Sequence, residues 1–173
     1  VQTVYVDPAG AADLSALEET LKAWDTDRDG VPVLVLMLAN NETGVVQPVQ
    51  EAAAMVREAG GLTLCDAVQG LGKIPVNVSL LGADYLTFSA HKLGGPQGVG
   101  ALWMRSGAPL RPSLLGGGQE RSLLSGTENL SGIAGFGAAA EAAVAGLPDY
   151  QRLSTWRDAM ETRLEAEAGG TVF

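Results

Sequence analysis

Three groups of polar residues stand where apolar runs break off, and their types could carry catalysis. They are Asn40-Asn41 after Val33–Ala39, Asp66 and Gln69 after Leu62–Cys65, and Ser89, His91 and Lys92 at the end of Tyr85–Ser89. Each has a plain structural alternative: an Asx-turn at Asn41, a cap at Asp66, a solvated pair at His91-Lys92. All three fall at the ends of expected strands, where open α/β sheets gather their ligand-binding groups. That coincidence favours a site. A lysine amine can form a Schiff base with an aldehyde cofactor. Pyridoxal phosphate asks for three further things: an acid to keep its ring nitrogen protonated, donors for its phosphate, and polar groups near its ring oxygen. Asp66 suits the first, Ser89 and His91 the second, Asn41 and Gln69 the third.

The elements that must position these groups follow from apolar spacing. Asp13–Trp24 reads as a helix with Leu14, Leu17, Leu21 and Trp24 on one face, and Ser15 with Glu18 has the spacing of a capping box. Val33–Ala39 is a continuous apolar run, as in a strand buried on both faces of a parallel sheet. Val49–Ala59 is a helix stopped by Gly60-Gly61. Leu62–Cys65, Tyr85–Ser89 and Val99–Met104 read as strands, and Arg111–Asn129 as loop and edge strand. Ser131–Ala145 is an Ala-rich helix aligning Ile133, Phe136, Ala140 and Val144; Ser154–Ala168 is a last helix. Thr171 to Phe173 looks like a strand beginning. Alternating strands and helices give an α/β class with a mainly parallel sheet.

Composition limits the function. The 173 residues are 46% apolar and 18% charged, enough for a packed core. A net charge of −9 argues against a nucleic-acid binder that works by neutralising phosphates. One Cys and one His exclude a disulfide framework, a Cys-rich zinc site and a multi-His metal centre. The chain has no apolar run long enough to span a bilayer and opens on no signal peptide, so no membrane is expected and a cytoplasmic setting is.

Four segments, NNETGVVQPV, CDAVQGLGK, FSAHKLGGPQGVGAL and GGGQERSLLSGTEN, in this order and spacing, strongly resemble the cysteine desulfurases of the class V aminotransferase group, the branch serving iron–sulfur clusters and nitrogenase. The resemblance implies a three-layer α/β/α fold, fold type I of the pyridoxal-phosphate enzymes, in a homodimer. It implies that Lys92 holds the cofactor, Asp66 pairs with its ring nitrogen, Gln69 and Asn41 lie near the ring oxygen, and Ser89 and His91 bind the phosphate. Thr127 would reach the phosphate in the partner subunit. The implied reaction takes L-cysteine to L-alanine, leaves a persulfide on the enzyme and passes sulfur to an acceptor protein of cluster assembly.

Members of that family are more than twice as long. A ring-stacking histidine, the nucleophilic cysteine and a substrate-binding arginine have no counterpart here, and Leu124 stands where many relatives have arginine. The chain is therefore expected to be a middle piece: residues 1–147 part of the cofactor-binding large domain, 148–173 the start of a small one. The alternatives are an inert remnant of the fold, or another class V chemistry such as selenocysteine lyase or aminotransferase. Cys65 reads as a core thiol, and Lys73 as a surface lysine. Borohydride reduction of the cofactor-treated chain, followed by peptide mapping, should place the pyridoxyl group on Lys92. A label on Lys22 or Lys73 with none on Lys92 would refute the assignment.

Overall fold

Strand register decides which side chains share a face, because partners across a ladder point the same way and neighbours along a strand point oppositely. The computed structural model describes residues 1–168. Its sheet has the order β1-β2-β3-β4, with β1 (Val33–Met37), β2 (Leu62–Asp66) and β3 (Tyr85–Ser89) parallel and β4 (Gly100–Met104) antiparallel to β3. Pairing Leu34 with Thr63 and Leu36 with Cys65 sets these four on one face. Cys65 pairs with Leu86, which pairs with Trp103, so the face continues across the sheet. Val33, Val35, Met37, Asp66, Thr87 and Ser89 lie on the other.

Helices α1 (Leu14–Lys22) and α3 (Val49–Glu58) cover the first face. Leu17, Ala52 and Val56 are buried there against Leu34 and Leu36. A second cluster, Leu38, Val49, Cys65, Ala67, Ala83 and Leu86, forms the core under β2 and β3. Two short turns, α2 (Thr26–Asp29) and α4 (Val78–Leu81), link these elements. The cap of α1 differs from the capping box expected at Ser15 and Glu18. The Asp13 carboxylate accepts from Ser15 N–H at 2.9 Å and Ala16 N–H at 3.1 Å. A carboxylate there also meets the positive end of the helix dipole.

Burial of β1 on both faces is not what the structure shows. Val33 is 57% and Val35 67% exposed, because β1 is an edge strand and no described helix covers its second face. The edge strand expected within Arg111–Asn129 is also absent among the described residues. That segment holds α5 (Gln119–Ser122), where Glu120, Arg121 and Ser122 have φ of 46°, 58° and 63°. Three successive left-handed residues cannot lie in a pleated ladder. The strand expected from Thr171 lies outside the described residues.

Three helices follow: α6 (Leu130–Ala145), α7 (Leu147–Gln151) and α8 (Leu153–Ala168). The contact stripe of α6 is not the expected row of Ile133, Phe136, Ala140 and Val144; Ile133 and Val144 are exposed. Gly135 sits against Pro96, Ala139 against Gly95, and Ala143 against Gly72. Small residues let the helix come close to the loops beyond the strand ends, which larger apolar residues would hold off. No single described helix is long and apolar enough to cross a membrane.

Asp84, only 3% exposed, ties three strands together. Its N–H donates to Thr63 O and its Oδ2 accepts from Thr63 N–H, both at 2.8 Å. Its carbonyl accepts from Arg105 N–H at 2.8 Å, and its Oδ1 accepts from Arg105 Nε at 2.7 Å. Asp84→Ala strands the buried Thr63 N–H and releases Arg105. A loss of about 2–3 kcal/mol is expected from removing charge-assisted bonds, read as a lower urea midpoint. An unchanged midpoint would show that the clasp contributes nothing.

Candidate functional site

Strands β2 and β3 deliver their polar ends to one corner of the sheet. Asp66 closes β2 opposite Met37 on one side and Thr87 on the other. Its Oδ1 accepts from Val68 N–H at 3.0 Å and from Thr87 Oγ1 at 3.3 Å. Its Oδ2 has no hydrogen-bond partner among the described residues and is left to receive a donor from outside. Thr87 escaped the sequence reading. Its signal is a hydroxyl two residues before Ser89, hence on the same face.

Ser89 Oγ lies 2.8 Å from His91 Nδ1. With the hydroxyl donating to Nδ1, the imidazole carries its proton on Nε2 and presents a donor there. A 3-10 turn, Ala90–Leu93, follows β3 and carries His91 and Lys92, both exposed. Gly94 closes it at φ 81°, a conformation that a side chain would strain, and donates its N–H to Ala90 O.

The Asx-turn after β1 belongs to Asn40, whose Oδ1 accepts from Glu42 N–H at 2.8 Å and Thr43 N–H at 3.0 Å. Asn41 is exposed and donates to Glu42 Oε1 at 2.6 Å. Thr127 sits exposed between α5 and α6. Neither Asn41 nor Thr127 hydrogen-bonds to Asp66, Gln69, Ser89, His91 or Lys92 among the described residues.

Gln69 lies in two linked turns after β2. Ala67 O accepts from Gly70 N–H at 3.0 Å and Leu71 N–H at 3.2 Å; Gly70 O accepts from Lys73 and Ile74 N–H, both at 3.0 Å. This near-helical path brings Lys73 Nζ to 3.3 Å from Gln69 Oε1. Lys73 is thus not the surface lysine expected. It is half-buried, and burial, with the nearby positive charge of Lys92 second, holds its amine below the usual lysine range. The spacing of four residues was its only sequence signal.

Cys65 is fully buried on the helix-covered face, beside Asp66 in sequence but turned the opposite way. Burial, with the Asp66 carboxylate second, pushes its thiol up to about 12. The donor set at the strand ends fits pyridoxal phosphate. It comprises a carboxylate with one oxygen free, a paired hydroxyl and imidazole, an amide and an exposed lysine.

The chain matches the family model described as "Aminotransferase class-V" over residues 1–163. It is 43% identical over 163 residues to a cysteine desulfurase of Enterobacter agglomerans, covering 94% of this chain and 40% of that protein. It is likewise 43% identical over 164 residues to cysteine desulfurase 2 of Trichormus variabilis, covering 95% and 40%. The chain therefore spans about 40% of the length of these curated relatives. Among solved structures it superposes on a NifS-like protein of Rickettsia africae with a TM-score of 0.87 at 36% identity, covering 94% of this chain and 45% of that one. DndA of Streptomyces lividans gives a TM-score of 0.78 at 34% identity, covering 100% and 48%.

The state of Cys65 is open to a direct test. With its thiol near 12, the thiolate fraction at pH 8 is about 10⁻⁴. Iodoacetamide at that pH should leave the folded chain unmodified and alkylate it promptly in denaturant. Native-state alkylation as fast as that of free cysteine would contradict this burial.

Proposed function

The chain belongs to the class V aminotransferase family, and from that premise we propose that it forms the cofactor-binding part of a pyridoxal-phosphate-dependent cysteine desulfurase. One observation carries the reading. The β2–β3 register sets a half-buried carboxylate with a free oxygen one strand away from a Ser89–His91 donor pair and the Lys92 amine. The relatives are cysteine desulfurases, and a similar solved structure, of 29% identity and TM-score 0.71, is that of SspA in complex with cysteine.

Pyridoxal phosphate, when bound, supplies an electron sink conjugated to the substrate's Cα. The residues of this chain prepare the place. Asp66 Oδ2 would hold the proton on the ring nitrogen, and Thr87 and the Val68 N–H keep that carboxylate from turning away. Ser89 Oγ and His91 Nε2 would donate to the phosphate. Gln69 and Asn41 would address the ring oxygen. Lys92 Nζ would hold the cofactor's aldehyde carbon and carry protons at the substrate's Cα. The net reaction balances without an external oxidant: the Cβ–S bond of L-cysteine breaks, L-alanine forms, and an enzyme thiol gains the sulfur as a persulfide.

Cys65 cannot be that thiol, since it is buried, scarcely ionised and on the opposite face of the sheet from Asp66. In this reading the accepting cysteine lies outside residues 1–173. The working unit is a cytoplasmic homodimer in which Thr127 serves the partner's phosphate. It passes sulfur to an acceptor protein of iron–sulfur cluster assembly. Residues 1–147 belong to the large domain, and 148–173 begin the small one.

The test is a graft. Residues 1–163 replace the matching segment of the Enterobacter agglomerans relative, and the purified chimera receives L-cysteine and a reductant. It should form alanine and sulfide. Asp66→Ala should cut turnover by roughly 10–100-fold, the scale of a lost bond to a charged group, without loss of fold. A folded, cofactor-coloured chimera that makes no alanine would overturn the proposal.

A further inference from the structure

The Lys73–Gln69 contact has a direction. An ammonium only donates, so the end of the Gln69 amide that faces Lys73 is its oxygen, and the amide nitrogen, a donor, is the end left over. Nothing else in the described structure fixes that choice. Asn41, the other candidate for the ring oxygen, donates to Glu42 Oε1, which leaves the orientation of Gln69 untouched.

The pair has little room to shift. A Cβ on Gly70 would lie 2.5 Å from Leu38 Cδ2, and Leu38 is buried. A Cβ on Gly72 would lie 2.8 Å from Ala143 Cβ and 3.1 Å from Leu93 Cδ2. The turns carrying Gln69 and Lys73 are thus wedged between the end of β1, helix α6 and the residue that follows Lys92. Lys73 also stands close enough to Lys92 to feel its charge.

We propose that Lys73 is a positioning residue: its ammonium holds the Gln69 amide so that Nε2, and not the carbonyl, faces the ring oxygen of the cofactor. This rests on the proposed function for the identity of that cofactor. An ionised ring oxygen accepts hydrogen bonds, so a flipped Gln69 would set a carbonyl oxygen against it. Lys73 removes the flipped state before the cofactor arrives.

The test uses the full chain. Lys73→Met keeps the apolar stem and removes the donor; Gln69→Leu removes the amide. Lys73→Met should weaken pyridoxal phosphate binding, followed by equilibrium dialysis, by about 3- to 10-fold, the worth of one hydrogen bond. It should move the pH midpoint of the bound cofactor's colour change in the same direction as Gln69→Leu does. In the Gln69→Leu background it should add nothing, and Lys73→Arg should recover most of the loss. An equal loss in both backgrounds would overturn the proposal, since Lys73 would then act independently of Gln69. A second readout needs no cofactor. The Gln69 side-chain amide pair in a ¹⁵N spectrum, recognised by its disappearance in Gln69→Leu, should shift in Lys73→Met; an unmoved pair overturns the contact. A wild-type chain that takes up no pyridoxal phosphate would instead sink the proposed function, leaving the amide pair to decide the contact.

Discussion

Asp84 sets the register on which the site depends. It engages Thr63 through both backbone and carboxylate, and Arg105 in the same two ways. The contacts lie at the amino-terminal end of β3, away from the chemistry, yet they fix Asp66 beside Thr87 at the other end. A slip of one residue in β2 would reverse every side chain in it. Asp66 would turn under the helices and Cys65 would come out on the open face. A buried carboxylate is costly unless its lone pairs are met. Here backbone and guanidinium donors meet them, and the half-exposed arginine still reaches water.

The same alternation separates two adjacent residues into opposite chemical roles. Cys65 enters an apolar cluster under α3, where its thiol loses solvation and stays protonated. Asp66 emerges on the open face with one oxygen tied and one free. A dipeptide that looks like a nucleophile with an acid beside it is, in space, a packing thiol back to back with a carboxylate on the open face.

The strand-end placement of Asp66, Ser89, His91 and Lys92 was legible, because each follows or closes an apolar run with a sharp boundary. The core under β2 and β3 was legible for the same reason. Properties that depend on more distant neighbours were not. Val33 and Val35 look buried in sequence, but edge position is set by strand order, which apolar runs do not encode. Lys73 lies in a Gly-rich stretch with no helical period, so its approach to Gln69 emerges only from two consecutive turns. The partners of α6 were missed because its contacts are made by Gly and Ala, which hydrophobic periodicity weighs least.

That small-residue stripe makes α6 unequal in what it can tolerate over evolutionary time. On its outer surface Ile133 is exposed, and drift there leaves the strand-end loops alone. On its inner surface a single added methyl at Gly135, or a larger side chain at Ala139 or Ala143, presses on Pro96, Gly95 or Gly72. Those loops flank Lys92 and carry Gln69. A lineage could therefore retune the placement of the lysine at its strand end by changing bulk on a helix that carries none of the strand-end polar groups.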